Sequence, residues 1–415
     1  MSTPDAAPLD AGGADAPEAP PPTRPADDGG STPDAVAPDT GAPGAAAEAF
    51  YDPANIPAID LTLDAAAVAV FSSTAPADRK TWVRGTFAHN GTTLHDVGVR
   101  RKGSSGFRAM PGKVAVKISF NEFVPGRRYM GLSDLTLNNM VGDPTFLAER
   151  LSFHVFRAVG LPSPRANTAR LRINGADYGI YANLETPNKD LLARHYGANA
   201  NTLYEVEYGS QWLPGFEGGF TVDVGDPSRA DLLALFQVVK NAKPASLLAD
   251  LSPRLDVPRF LRYCAAEAVL GQVDGYGYGK FGSHNYFMAG DKAGSFTLLP
   301  WSLDLTFSDR EGRLDAAKPA FADPVAKGDT VLVRCKASPP CWASYKAEVQ
   351  SLLAAYATLD LANLARTWNT QIDALVRADP KREAPIAFYV SETAKLVPWI
   401  GARPGIVRAQ LGLPP

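Results

Sequence analysis

The sequence predicts an α+β fold in which a β-rich N-terminal region with one inserted helix precedes a mainly helical C-terminal region. Three observations lead to this prediction. Polar and apolar residues alternate along residues 82–120, two Asn-Gly pairs stand between alternating runs, and helical spacing of apolar residues dominates after about residue 228. With 415 residues and 45% hydrophobic side chains, the chain can bury one large core or two medium ones.

The β-rich region is predicted strand by strand from its alternation and its turns. Asn90-Gly91 and Asn174-Gly175 each separate two alternating runs, which indicates two tight hairpins. A further strand carries Lys113 at its start, and this residue shares a face with the lysine four positions later if the strand is unbroken. The predicted strands are Trp82–Phe87, Thr93–Arg100, Lys113–Phe120, Ala169–Ile173 and Tyr178–Leu184.

One helix interrupts the strands, and several more follow them. Apolar residues at helical spacing run from Pro144 to Val159. Asp143 and Thr145 are candidate caps of this helix, and Gly160 is its predicted stop. After residue 228 the prediction comprises helices Ala230–Asn241, Val257–Gln272, Cys341–Tyr356, Leu361–Leu375 and Arg403–Leu411, with a short strand pair around Tyr286 and Leu298.

Composition and charge separate a tail from the folded body. Residues 1–50 carry nine acids and one arginine, consist mostly of Ala, Pro, Asp and Gly, and are expected to form a disordered tether. The remainder has 40 basic and 35 acidic residues. This mild excess suits an anionic substrate such as a nucleotide but is too weak and scattered for nucleic-acid binding. No apolar run is long enough to span a membrane.

The three cysteines form one close pair and one single residue. Cys335 and Cys341 bracket a short loop with two prolines and could close into a disulfide, which would fit an oxidising compartment. Zinc is not expected at this pair because no second Cys or His pair stands nearby. Cys264 lies in an apolar helical run and is expected in the core.

The residues most suited to chemistry form an acid, amide and acid series in the C-terminal half. Asp274 stands beside a glycine-rich loop, Asn285 follows eleven residues later, and Asp304 comes just after an apolar strand. Phosphoryl transfer needs this order, because one carboxylate orients the acceptor hydroxyl while an amide and a second carboxylate hold the metal that neutralises nucleotide phosphates. The alternative is that all three are ordinary turn residues.

In the order of their motifs the residues resemble the spore-coat CotH kinase family of atypical protein kinases. A glycine-bearing turn comes first, followed by a strand with Lys117, a helix with Glu149, further strands, and the acid, amide and acid series. The matching segments lie within residues 60–411 and are Val97–Ser105, Leu137–Asn139, Asp143–Leu151, Ile173–Tyr181, Leu203–Tyr204, Asp274–Tyr276, Asn285–Tyr286 and Pro300–Phe307.

The resemblance implies a protein-kinase-like two-lobe fold. The N-lobe, β-rich with one inserted helix, would occupy about residues 60–210, and the mainly helical C-lobe about residues 211–415 of a domain that begins at residue 51. It also implies that the chain binds ATP together with Mg²⁺ or Mn²⁺ and phosphorylates Ser or Thr hydroxyls of a protein substrate.

Within the N-lobe the resemblance implies two nucleotide-binding segments. The segment expected to turn over the phosphates is Lys102, Gly103, Ser104 and Ser105. Small residues let backbone amides approach an anion closely, although a plain hairpin turn has the same composition, and Arg101 and Lys102 could face either solvent or phosphate. Leu184 and Glu185 resemble the hinge, whose backbone would bind adenine, while the glutamate would contact ribose or cap a turn.

The phosphate-binding lysine implied by the resemblance is Lys117, paired with Glu149 of the following helix. A buried lysine–glutamate pair is costly unless it is used. Lys113 is the rival for this role, and a solvated lysine on an edge strand is the other alternative.

In the C-lobe the resemblance implies that Asp274 is catalytic and orients the substrate hydroxyl, and that Asn285 and Asp304 bind the metal. Two features depart from the pattern. The Asp274–Asn285 spacing exceeds the ~5 residues of an ordinary kinase catalytic loop, so the loop must fold back. Many family members have Asp where this chain has Ser302, which either impairs metal binding or is harmless if Asp304 is the essential ligand.

The sequence therefore predicts an atypical ATP- and metal-dependent protein Ser/Thr kinase acting on coat, envelope or surface proteins. The alternatives are a pseudokinase scaffold, a structural coat or surface protein, and a nucleotidyl (AMP) transferase on the same fold. The tether and the cysteine pair predict an extracytoplasmic protein, which would be secreted, surface-tethered or in a spore coat, with a signal sequence that the present sequence lacks. A cytoplasmic location is the alternative.

Overall fold

The computed structural model describes residues 44–278, 283–308 and 330–414. Most of the predicted tether, residues 1–43, lies outside the described residues. Its last part does not: Ala45–Phe50 form a helix, and Phe50 is buried. Within the described residues the helices are α1 (Ala45–Phe50), α2 (Ala65–Ser72), α3 (Ala148–Ala158), α4 (Lys189–Tyr196), α5 (Ala230–Asn241), α6 (Leu247–Leu251), α7 (Val257–Leu270), α8 (Val331–Lys336), α9 (Pro339–Thr358), α10 (Leu361–Ala378) and α11 (Ile386–Leu411). The strands are β1 (Ala58–Leu63), β2 (Val83–His89), β3 (Thr92–Lys102), β4 (Ala115–Ser119), β5 (Asp134–Asn138), β6 (Ala166–Ile173), β7 (Ala176–Glu185), β8 (Ala200–Val206), β9 (Phe220–Val224), β10 (Tyr286–Asp291) and β11 (Phe296–Pro300).

Seven strands close into a barrel in the order β1-β2-β3-β4-β5-β7-β6. Neighbouring strands are antiparallel, except that β1 and β6 pair in parallel and so complete the ring. Asn90-Gly91 and Asn174-Gly175 all have positive φ and form the two predicted hairpin turns. Alternate residues of the strands point inward, and the barrel core includes Val99, Val116, Ile118, Leu135 and Leu137.

The C-terminal part combines most of the helices with a second, antiparallel sheet. Its strand order is β11-β10-β8-β9, so β8 belongs to this part and not to the barrel. The barrel therefore ends at Glu185, earlier than the predicted boundary near residue 210. The predicted α+β fold class, rich in strands first and helical later, is confirmed, whereas the closure of the barrel was not predicted.

Helix α3 lies where the barrel meets the helical part. Leu147 occupies the N-cap position, but Asp143 accepts hydrogen bonds from the amides of Thr145 and Ala148, both at 2.8 Å, and so caps the first helical amide from outside the helix. The helix consequently begins at Ala148 and not at Pro144, and Gly160, at a φ of +77°, follows its end as predicted. Its apolar face enters the same core as α7, α9 and α10 through Leu151, Phe153, Val155 and Phe156.

The cysteines have the arrangement that the sequence suggested. Cys335 and Cys341 form a disulfide that joins α8 to α9, with their Cα atoms 5.1 Å apart. Cys264 is fully buried within α7. Of the helices in the described ranges, none combines the length and the apolar character needed to cross a membrane.

A buried ion pair joins the barrel to the helical part. Lys113 and Asp379, the residue after α10, form it with side chains only 1% and 0% exposed. A Cβ at Gly179, whose φ is +81°, would lie 2.0 Å from the Asp379 carboxylate, so glycine is required there. Strand β4 begins only at Ala115, and Lys113 is held in this pair, which rules it out as the rival of Lys117.

We predict that Asp379→Ala destabilises the protein by about 3–5 kcal/mol, because it leaves the Lys113 ammonium buried without its partner. Urea unfolding followed by circular dichroism measures the change. Arg84→Ala, which removes the exposed ion pair between Arg84 and Asp96, is the control and should cost no more than about 1 kcal/mol. Equal effects of the two substitutions would contradict a structural role for the buried pair.

Candidate active site

Lys102 is the last residue of β3, and its side chain points away from the barrel core. The preceding Arg101 points inward, is 1% exposed, and donates hydrogen bonds to the carbonyls of Phe71 and Ser73. Lys102 Nζ lies 3.5 Å from Asn138 Oδ1, and burial lowers the pKa of this lysine. Of the two basic residues that could face phosphate, the structure directs Lys102 toward the acidic groups described below.

Glu149, in the first turn of α3, is one of the deeply buried acids of the site. Its side chain is 1% exposed, and Asn138 Nδ2 donates a 2.7 Å hydrogen bond to its Oε2. Oε1 has no hydrogen-bond partner among the described residues. Burial, with a further contribution from the Asp304 carboxylate, raises the pKa of Glu149 to about 8, and Lys102 opposes the rise. Asn138 thus contacts both the lysine and the glutamate.

The structure does not bring Lys117 to Glu149, contrary to the pairing expected from the sequence. Lys117 of β4 pairs with Arg100 of β3. Because Arg100 lies two residues before Lys102, Lys117 is on the same outer face as Lys102 but further from the end of β3. There Lys117 interacts with the Glu122 carboxyl. Burial raises the pKa of Glu122, and the charges of Arg100 and Lys117 oppose that rise. The lysine that shares the buried site with Glu149 is Lys102, at the end of the strand.

Asp274 is held from two sides in the loop that follows α7. Asn285 Nδ2 donates hydrogen bonds to Asp274 Oδ2 at 2.9 Å and to its carbonyl oxygen at 2.8 Å. His284 Nε2 lies 3.0 Å from Asp274 Oδ1. Asn285 has a φ of +59°, which asparagine tolerates better than most residues. Asn285 therefore contacts Asp274 across the eleven-residue spacing, as the sequence required.

Glu267 of α7 organises the glycine-rich loop and was missed by the sequence reasoning. Its carboxylate, 1% exposed, accepts hydrogen bonds from the amides of Tyr276 at 2.8 Å and Gly277 at 2.9 Å. A Cβ at Gly275 would lie 2.3 Å from its Oε1, so the loop can approach only without a side chain there. Burial raises the pKa of Glu267 to about 7. The available signal was a single acid inside the otherwise apolar run of α7.

Asp304 follows β11 and completes the acidic group. Ser302 Oγ donates to its Oδ1 at 3.2 Å, and a Cβ at Gly142 would lie 2.7 Å from its Oδ2. Burial raises the pKa of Asp304, the Asp274 carboxylate raises it further, and Lys102 opposes both. Ser302, the departure from the family pattern, is therefore a direct neighbour of the predicted metal ligand.

The balance of charge at this site suits a bound cation. Three carboxyl groups, those of Asp143, Glu149 and Asp274, lie close enough to Asp304 to interact with its charge, and Lys102 is the cation among them. Burial raises the pKa of Asp143 to about 6. Within the described ranges, no three His, Cys, Asp or Glu side chains converge closely enough to hold a metal alone. Mg²⁺, however, is typically held by one or two protein groups together with phosphate oxygens and water. Asp304 supplies one such carboxylate, and Asn285, which is hydrogen-bonded to Asp274, stays a predicted second ligand.

The two predicted nucleotide-binding segments lie in different surroundings. Gly103 directly follows Lys102, has a φ of +102°, and leads into an exposed turn with Ser104 and Ser105. This position beside Lys102 is compatible with the phosphate-binding role, which stays a prediction.

Leu184 and Glu185 offer no free group for adenine or ribose. They lie in β7, which is paired with β5 on one side and β6 on the other, so their backbone groups belong to the sheet. The Glu185 carboxylate, 3% exposed, is bound by Arg165 at 3.1 Å and by Arg194 at 2.5 Å. The interpretation of these residues as a hinge fails because an inner strand of a closed barrel has no open edge.

We predict that Glu149→Gln changes how stability depends on pH. In the native state the glutamate pKa is about 8, above its ordinary value of 4.5, so the folded state holds the proton more tightly and the wild type loses stability between about pH 4.5 and 8. The substitution removes that loss while keeping an acceptor for Asn138. Urea unfolding with a chelator present at pH 5 and 8.5 should therefore show a gain for Glu149→Gln that is larger at the higher pH. A gain independent of pH would contradict the assignment.

The amino-acid sequence of this chain is similar to those of two named proteins. It is 24% identical over 200 residues to the inner spore coat protein H of Bacillus subtilis (strain 168), an alignment that covers 45% of this chain and 53% of the relative. It is 26% identical over 181 residues to the invasin CotH3 of Rhizopus delemar, covering 40% of this chain and 30% of the relative. The chain thus spans about half of the first relative and less than a third of the second.

Among solved structures, a chain of the Shewanella oneidensis MR-1 HipA–HipB–operator DNA complex is similar at 10% identity and a TM-score of 0.29, covering 79% of this chain and 64% of that one. We derive nothing from a likeness of that size. A family model described as CotH kinase protein matches residues 99–407, which is most of the sequence and includes every acid of the site. The chain belongs to the CotH kinase protein family.

Proposed function

We propose that this protein is an atypical ATP- and divalent-metal-dependent kinase that phosphorylates Ser or Thr hydroxyls of a protein substrate. One observation carries the proposal: Lys102 and Glu149 share the amide of Asn138 at a buried site where Asp304 is also present. A lysine for phosphates, a helix glutamate and an acid that follows a strand are the parts that phosphoryl transfer by a kinase-like protein uses.

Lys102 is the phosphate-binding lysine in this proposal, in place of Lys117. Its ammonium would contact phosphate oxygens while Glu149 and Asn138 hold it in position. The ammonium of Lys102 also lies against an aromatic ring, since its Nζ is 5.4 Å from the centre of the Trp301 ring, and this contact restrains the side chain. The turn formed by Gly103, Ser104 and Ser105 would supply backbone amides and hydroxyls to the same phosphates.

Asp274 would orient the acceptor hydroxyl and accept its proton as the hydroxyl oxygen attacks the γ-phosphorus of ATP, while the bond from that phosphorus to the bridging oxygen breaks and ADP leaves. A hydrogen bond from Asn285 already fixes Oδ2, while Oδ1 lies 3.0 Å from His284 Nε2 and accepts no hydrogen bond from the described residues. Fixing the carboxylate before the acceptor arrives contributes to rate through orientation. Asp304 and Asn285 would hold the metal, which supplies neutralisation of charge on the transferring phosphoryl group.

An extracytoplasmic acceptor is the third part of the proposal. The relatives are named for a spore coat and for invasion, and both names point to material outside the cytoplasm. The disulfide between Cys335 and Cys341 agrees, because such bonds persist in oxidising compartments. We therefore propose a coat, envelope or surface protein as the substrate.

We predict that Lys102→Met lowers transfer of label from γ-labelled ATP by about 10²–10³-fold, since it removes a preorganised charge from the phosphates. Lys117→Met, which removes the same charge from the same outer face, should leave the rate within about threefold. The assay uses the protein itself and a generic protein acceptor with Mg²⁺ or Mn²⁺. The opposite ranking of the two variants would return the role to Lys117.

The same assay separates the remaining alternatives. Label from the γ position that is lost in Asp274→Asn and Asp304→Ala supports the proposed kinase, whereas label from α-labelled ATP would identify a nucleotidyl transferase. ATP binding without transfer from either position would favour a pseudokinase and point to Ser302 beside Asp304. Absence of ATP binding by folded protein would overturn the nucleotide site as a whole.

A further inference from the structure

A second polar site lies at the opposite end of α3 from Glu149. Three arginines, Arg157 in the last turn of α3, Arg165 before β6 and Arg194 in α4, line a cavity of about 460 Å³. Tyr51 completes the wall from the segment after α1. Eight helical residues separate Glu149 from Arg157, which corresponds to about 12 Å along the helix axis.

The arginines of this cavity have fewer acidic partners than charges. Arg165 and Arg194 share the single carboxylate of Glu185. Arg157 Nη1 donates to the carbonyl of Pro164 at 2.6 Å, and no carboxylate of the described residues forms an ion pair with it. Burial lowers the pKa of Arg157 to about 10, and the neighbouring Arg194 charge lowers it further. The inner wall therefore carries net positive charge.

Tyr51 supplies an independent sign that a ligand is missing. The residue is 4% exposed, and its hydroxyl has no hydrogen-bond partner among the described residues. That hydroxyl lies in the field of the Glu185 carboxylate and, more weakly, of Arg165 and Arg194. Buried hydroxyl groups are almost always hydrogen-bonded, so an unpartnered hydroxyl in the wall of a cavity lined by three arginines marks a position for a ligand oxygen.

The acids of the cavity stand at its mouth. Glu48 accepts a 2.7 Å hydrogen bond from Arg165 Nε, but its side chain is 64% exposed. Asp52 is also exposed and accepts from the amide of Ala54 at 2.7 Å. The Glu48 side chain, which is exposed, can turn into solvent and leave Arg165 Nε to an anion that enters the cavity.

We propose that this cavity is an oxyanion site for a phosphoryl group, held by the guanidinium groups of Arg157, Arg165 and Arg194 and by the hydroxyl of Tyr51. Guanidinium groups are rigid donors that match the oxygens of phosphate, and several of them around one cavity suit a tetrahedral dianion better than a carboxylate. The phosphoryl group could belong to free phosphate or to a phosphorylated side chain. The site is separate from the transfer site and does not depend on the proposed kinase activity.

The test is equilibrium dialysis of the full chain against ³²P-labelled inorganic phosphate at constant ionic strength. It uses the Lys102→Met background so that the candidate active site does not contribute. We expect saturable binding of one phosphate per chain, weakened at least tenfold by Arg157→Gln and at least threefold by Tyr51→Phe. Arg172→Gln is the matched control, because Arg172 is an exposed arginine paired with Asp60, and it should bind as the parent does.

Competing ligands identify the source of the phosphoryl group. Displacement by a phosphoserine peptide at lower concentration than by unlabelled phosphate indicates a phosphorylated polypeptide, and the reverse order indicates the free anion. Acetate at the same ionic strength should not displace label. The proposal is overturned if phosphate does not bind saturably, or if Arg157→Gln and Tyr51→Phe, each shown to be folded by its melting temperature, bind as tightly as Arg172→Gln.

Discussion

The candidate site depends on the burial of one carboxylate, that of Glu149. At 1% exposure burial raises its pKa to about 8, so the folded protein holds this carboxyl protonated near neutral pH. The fold places a lysine and an amide beside it by bringing three element ends together: β3 ends at Lys102, β5 ends at Asn138, and α3 begins one residue before the glutamate. The barrel and the helix therefore meet at the candidate site, and a shift of any of the three ends would separate Glu149 from Asn138 and Lys102.

Local signals in the sequence predicted the elements well but not the pairing that assembles the site. The hairpins at Asn90 and Asn174, the cap at Asp143 and the fold-back of Asn285 onto Asp274 all follow from neighbouring residues, and the structure has them. Alternation also predicted the strand that contains Lys117. It could not say which residues on the outside of the barrel meet α3, because this depends on where a helix later in the chain docks.

The closure of the barrel was invisible in the sequence for a related reason. It rests on parallel pairing of Ala58–Leu61 with Arg170–Ile173, segments more than a hundred residues apart, and no turn signal joins them. The family resemblance gave Leu184 and Glu185 the position of a hinge after the last N-lobe strand, whereas closure pairs β7 with a strand on each side. Glu267 was missed because it is a single acid within an apolar context, and only the loop that packs against it reveals its function. Asn138 was noted only as part of the family pattern, because its contact with Glu149 depends on where α3 docks.

The charges at the two ends of α3 follow from the helix itself. The N-terminal end of a helix attracts negative charge and the C-terminal end attracts positive charge. Asp143 and Glu149 lie at the first end and Arg157 at the second, each with further groups of its own sign nearby. Each cluster is larger than its partners in the protein can neutralise. The same helix thus explains why the site near Glu149 suits a cation and why the cavity near Arg157 suits an anion.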